Sequence, residues 1–209
     1  MRPECGAVVP VVVPDANVLF GAASRALLIA LCQLRHIRLH WSELILDELA
    51  RALVETGRQR SRETAERNTA RMRDAIRDAD VSVRQVQARF KDVAPAVKSP
   101  KDLHVAACAA AVLWFRGDVS SVVLITRNLK DFRAGALARK RILVTTLDEF
   151  LVRLFKAQPL SVADAFHHLR VSFKSRPSVD RLLDSLLGDG LTLTCALLAS
   201  AADAGDIQL

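Results

Sequence analysis

The sequence predicts an α/β fold built on a parallel sheet with helices on both faces, followed by a smaller helical appendage. Three observations carry that prediction. Short β-branched runs recur along the first part of the chain, helix-period runs separate them, and from Pro159 onward only helical patterns remain.

The first strand is Val11 to Val13 in "VVVPDANVLF", β-branched and bounded by Pro14. "SRALLIALCQLR" reads as a helix, with Ser24 as its N-cap and an apolar face through Leu27, Leu28, Leu31 and Leu34. In "HIRLHW", Ile37, Leu39 and Trp41 alternate with Arg38 and His40, which predicts a half-exposed second strand. Ser42 can cap the next helix, whose apolar positions Ile45, Leu49 and Leu53 run to a stop at Gly57.

"SRETAERNTARMRDAIRDAD" is polar and Arg-rich, the pattern of a solvated helix. "VKSPKDLHVAACAAAVLWFRGD" opens a helix near Pro100 and stops it at Gly117, with almost only Ala, Val and Leu beyond the first turn. "SVVLITRN" and "RILVT" are two further strands, and "TLDEFLVRLF" begins another helix. The division falls into an α/β domain over 1–157 and a helical appendage over 158–209, the latter from "SVADAFHHLRVSF", "SVDRLLDSLL" and "GLTLTCALLASAA".

Composition narrows the function. The 209 residues are 51% hydrophobic, enough for an ordinary core, and no apolar run reaches the roughly 18 residues of a membrane span. The expectation is a soluble, cytoplasmic protein with no membrane partner. Cys5, Cys32, Cys108 and Cys195 show no zinc-ligand spacing and read as reduced core thiols. The net charge of +7 favours a polyanionic partner. Residues 161–209 carry four basic and six acidic side chains, so the excess of cations belongs to residues 1–160. Any phosphate-binding surface is expected there.

In open parallel sheets, ligands bind beyond the carboxyl ends of the strands, where the strand order switches. Asp15 and Asn17 follow the first strand, while Asn128 and Asp131 follow "VVLIT". Asp102 falls in the first turn of its helix, where the helix dipole favours a carboxylate. Glu48 lies at the border of a buried helix face. Each has a plainer reading: Asp15 and Asp102 as caps, Glu48 as a solvated acid, Asp131 as a turn former. If the acids converge, a cation must offset their repulsion, and carboxylate oxygens with open positions suit Mg²⁺ or Mn²⁺. That arrangement suits phosphodiester hydrolysis. His104 reads as a packing or hydrogen-bonding histidine, and His167 and His168 as partly exposed. In the Arg-rich stretch, Arg58, Arg60, Arg62, Arg67 and Arg71 form a candidate RNA-binding rail.

"VVVPDANVLF", "WSELILDELARAL", "PKDLHVAACAAA" and "VLITRNLKDF" occur in an order and spacing that resemble the PIN-domain ribonucleases, most closely the VapC-type toxins of bacterial toxin–antitoxin pairs. The resemblance covers about residues 8–150, and the helical tail is similar to the appendage of one branch of the family. It implies a three-layer α/β/α PIN-like fold and a Mg²⁺- or Mn²⁺-dependent endoribonuclease. It also implies Asp15, Glu48, Asp102 and Asp131 as catalytic acids, with Asp15, Asp102 and Asp131 on the metal. Asn17 would orient Asp15, with Thr126 and Asn128 in support, and Asn128 stands as the alternative to Asp131. A homodimer and a protein antitoxin are implied as partners.

Two departures stand out. Many members carry an acid directly after the strand threonine, where this chain has Arg127. They often carry another acid before the third-motif aspartate, where it has Lys101. Two rival functions are a non-catalytic RNA-binding or scaffold protein on the same fold, or a stand-alone RNA-processing nuclease. A phosphatase with Asp15 as nucleophile is disfavoured, because its usual second aspartate is Asn17 here.

Overall fold

The structure, a computed structural model, describes residues 9–209; the reading of Cys5 lies outside them. The elements run β1 (Val11–Pro14), α1 (Ala16–Leu19), α2 (Ala22–Gln33), β2 (Arg38–Leu39), β3 (Trp41–Ser42), α3 (Glu43–Glu55) and α4 (Arg62–Ala75). There follow β4 (Asp80–Val81), α5 (Val83–Gln87), α6 (Phe90–Val93), α7 (Leu103–Phe115), β5 (Val122–Ile125), α8 (Ala134–Ala138) and β6 (Ile142–Thr145). The chain closes with α9 (Leu147–Ala157), α10 (Pro159–Ser172), α11 (Val179–Gly188) and α12 (Thr192–Asp203). The predicted α/β class holds: β2, β1, β5 and β6 form one wholly parallel sheet in that order.

Every residue of β1 is buried, as a strand flanked on both sides must be. The chain leaves β1, returns as β2 on one side, and later returns as β5 on the other. The order therefore reverses at the carboxyl end of β1, the place where a parallel sheet opens a crevice.

Beyond β2, the chain turns to pair β3 with β4, a two-residue strand too short to leave a sequence pattern. His40 bridges the two pairings. Its amide donates to the Val12 carbonyl, and the next amide, of Trp41, donates to Ala79. Paired on both sides, the segment is more enclosed than the half-exposed strand predicted, and His40 is buried along with Ile37, Leu39 and Trp41.

The helix predicted to be capped by Ser24 starts three residues earlier, with Gly21 as N-cap. The cause lies far along the chain: Asp189 Oδ2 accepts from the Ser24 amide at 2.8 Å, supplying from the tail the cap that Ser24 was expected to provide. Gly21 makes this possible, since a Cβ there would stand 2.6 Å from the Asp189 carboxylate. The Ser42 cap is present, its hydroxyl accepting from Ile45, and Gly57 ends α3 with φ of 72°. The central helix α7 is buried on nearly all sides from Val105 to Val112, packing on β1, β5, α3, α5 and α6.

The tail packs into the same core as the sheet. α10 lies on α2 and α9, α12 on α9, and α11 on α2 and α12. Phe166, Leu186 and Leu198 are fully buried within one continuous cluster, each burial contributing about 1.5–3 kcal/mol. Among the described residues, no helix is long and apolar enough to cross a membrane. Burial holds Cys108 up to about 12, the state of an inert core thiol.

Candidate active site

Asp15 ends β1. Its amide extends the pairing to β5 by donating to Ile125 at 2.8 Å, and its carbonyl accepts from Val18 and Leu19 to start α1. The side chain does not cap that helix. Instead Oδ2 accepts from Asn17 Nδ2 at 2.6 Å and from Thr126 Oγ1 at 2.8 Å. Thr126 Oγ1 in turn accepts from the Asn128 amide, and Asn17 Oδ1 from the Arg127 amide, both at 3.1 Å. The ends of two adjacent strands are thus stitched around one carboxylate, which is 1% exposed.

The surroundings oppose its charge. Burial, followed by the nearby carboxylates of Glu48 and Asp102, pushes Asp15 up to about 6, with the Thr126 bond pulling the other way. Glu48 and Asp102 are therefore the acids that share its electrostatic space. Glu48 is carried by α3 and Asp102 by the 3₁₀ turn Pro100–Asp102 that leads into α7. Asp102 occupies the N-cap position of α7, yet like Asp15 it makes no capping bond. The plainer reading of both as caps fails on this point, and both carboxylates are left for another use.

His104 was read as a packing or hydrogen-bonding histidine, and its partner is Glu48. Nε2 stands 3.1 Å from Glu48 Oε2, the distance of an ion pair though not the alignment of a hydrogen bond. Nδ1 lies 2.8 Å from the Lys101 carbonyl. Burial alone would lower this histidine, but Glu48 and the Lys101 carbonyl override it and raise it. The pairing joins two helices 56 positions apart, so no local pattern announces it.

Asp131 sits in a 3₁₀ turn, Leu129–Asp131, where its carbonyl accepts from the Lys98 amide, and it is not among the leading charges that move Asp15. Asn128 contributes its amide to Thr126 while its side chain is exposed. Arg127, at the position where the resembled family often has an acid, turns away: Nη2 donates to the Asp189 carbonyl at 2.6 Å and ties the loop to the tail.

In donor type and charge these residues fit a hard divalent cation. Asp15, Glu48 and Asp102 offer only oxygens, and their mutual repulsion is what a cation relieves. Among the described residues no three such groups are already gathered closely enough to hold one. Glu48 and Asp102, both partly solvent-exposed, are the members that would have to turn inward.

Beside Glu48 and His104 opens a groove of about 600 Å³, lined also by Arg51, Phe90 and Lys101. α4, which bears the Arg-rich stretch, packs on α3. Arg62 is engaged by Asp47 at 2.8 Å and Glu66 at 2.7 Å, and Arg67 by Glu63 at 3.0 Å. Arg58 lies over the Phe20 ring at 4.2 Å. Arg60 and Arg71 make no ion pair among the described residues. These exposed pairs are screened by solvent and yield readily to a phosphate. No family model matches the chain, and neither the curated proteins nor the solved structures contain a match to it.

Proposed function

We propose that the chain is a Mg²⁺- or Mn²⁺-dependent endoribonuclease with a three-layer PIN-like fold, acting in the cytoplasm as the toxin of a toxin–antitoxin pair. The observation that carries the reading is the buried Asp15 carboxylate at the reversal of strand order, gripped on one oxygen and crowded by two further acids. Asp15 and Asp102 are the residues that would hold the cation, with Asp131 or Asn128 completing the site from the β5 loop. When bound, the cation supplies neutralisation of phosphate charge and a more acidic water.

The chain's own residues do the positioning. Asn17 and Thr126 fix the Asp15 carboxylate, and the amides of Arg127 and Asn128 fix Asn17 and Thr126. His104 holds Glu48 beside the groove, where Glu48 would accept a proton from the attacking water. Arg51 and Lys101 in the groove, and the arginines of α4, would take the flanking phosphates of RNA. A homodimer and an antitoxin protein belong to the same reading through the motif resemblance.

The test uses the purified full chain on single-stranded RNA with Mg²⁺ or Mn²⁺. Asp15→Asn is expected to abolish cleavage, and Asp131→Asn to lower it less while raising the metal requirement. Cleavage by Asp15→Asn at the wild-type rate overturns the assignment. Absence of cleavage by the wild-type chain itself would leave the alternative of a non-catalytic RNA-binding or scaffold protein.

A further inference from the structure

A cavity of about 500 Å³ opens along the outer edge of the sheet, beside the edge strand β2 and the chain just before β1. Four arginines line it: Arg35, Arg38, Arg77 and Arg116. The one acid among its lining residues is Asp78. Arg38 is paired with Asp118 at 2.6 Å. Arg35, Arg77 and Arg116 have no carboxylate partner among the described residues.

Backbone holds the Arg116 cation and sets the position of Arg35. Arg116 Nη2 donates to the Asp78 carbonyl at 2.7 Å. Arg35 sits just past the end of α2 with φ of 62°, its amide bonded to the Cys32 carbonyl, at a position where glycine is the unstrained choice. The remaining wall is apolar, from Ile37, Leu39 and Ile76, and His40 forms part of it at 3% exposed. Burial, with the fields of Arg116 and Arg38, pushes His40 down to about 4, so the ring is neutral near pH 7 and the positive charge sits on the arginines.

Guanidinium groups around an apolar pocket match an anion attached to a ring. The volume falls in the range of small-ligand sites, about 300–1,000 Å³, and the charges surround a hollow where a polynucleotide would need a track. We propose that this cavity binds a small phosphomonoester of the nucleoside monophosphate class, with the phosphate on Arg35, Arg77 and Arg116 and the base against Ile76. The site is independent of the nuclease reading, since it shares no lining residue with the Asp15 cluster.

The test titrates the full chain with adenosine monophosphate, ribose 5-phosphate, inorganic phosphate and adenosine, while the histidine Cε1–H resonances are followed by NMR. Adenosine monophosphate is expected to shift the His40 resonance and leave those of His167 and His168 in place, with ribose 5-phosphate and inorganic phosphate weaker and adenosine silent. Arg35→Asn with Arg77→Gln, both exposed positions, should weaken binding at least tenfold while RNA cleavage stays unchanged; Asp15→Asn should bind the nucleotide as wild type does. No shift at millimolar nucleotide, equal binding of adenosine, or undiminished binding by the double variant overturns the proposal. So does a silent nucleotide with a single-stranded RNA whose binding the double variant loses, which would make the cavity part of an RNA surface.

Discussion

Asp15 and Asp102 both stand where a helix begins, and neither is used as a cap; for Asp15 the charge is retained at a cost to the fold. For Asp15 the sign can be worked out. Its carboxyl titrates at about 6 in the folded chain against a usual 3.8, so between those values the native state holds more proton than the unfolded state. Its contribution to stability is greatest below pH 3.8 and is lost as pH rises towards 6. Above that the ionised group costs on the order of 3 kcal/mol, at about 1.4 kcal/mol per pKa unit. Asp15→Asn keeps the acceptor for Asn17 and Thr126 and removes the charge. The variant is expected to melt several degrees higher than wild type at pH 7.5 in chelator, with the gap closing by pH 4. His40, depressed to about 4, makes both proteins less stable as pH falls from 6.5, and cancels in the comparison. Thermal unfolding of the pair from pH 4 to 8 checks this; a gap that does not change with pH contradicts it. Asp15 and Asn17 were legible because they follow a β-branched run that has to end. The pairing of His104 with Glu48 was not, because its two halves are brought together only by the packing of α3 and α7.

At the scale of elements, α2 takes its cap from a residue 165 positions away. Local sequence offered Ser24, the sort of residue that caps helices, and the nearer signal misled because the decisive one is tertiary. Gly21→Ala would put a methyl group against the Asp189 carboxylate and drive it off the helix end. The expected loss is about 1–2 kcal/mol, as for other caps. Asp189→Ala should cost a similar amount, and the double variant no more than the larger single one, because both remove the same bond. Urea unfolding of the three variants decides; additive losses would show that Gly21 and Asp189 act separately. The α4 helix itself was readable from its polar, Arg-rich pattern, but its Ser61 cap and the division of labour among the arginines of that stretch were not. Arg62 bridges to α3 through Asp47, so the rail is better probed at Arg60, Arg67 and Arg71. Replacing those three by Gln is expected to flatten the salt dependence of single-strand RNA binding by about 0.7 per lost phosphate contact. An unchanged slope in a filter-binding titration would return these side chains to simple solvation.

For the whole molecule, the helices after Pro159 were legible from their periodicity, whereas their docking was not, since an apolar face does not name its counterpart. That docking reaches the proposed site through a single residue. Asp189 binds the α2 terminus by its carboxylate and the Arg127 guanidinium by its carbonyl, while the Arg127 amide holds Asn17, which holds Asp15. The loop after β5 cannot swing open while α11 is seated without breaking that chain of bonds. In deuterated water, the amides of Ser24 and Arg127 should therefore exchange together with those at the end of α11, at one common rate; Asp189→Ala, which removes the carboxylate, should uncouple Ser24, and Arg127→Ala, which removes the guanidinium bond to the Asp189 carbonyl, should uncouple the amide of residue 127. Separate rates in the intact protein would break the inference. The tail then acts as a clock for the loop: how often the carboxylate is released from its grip is fixed by how often a distant helix lifts.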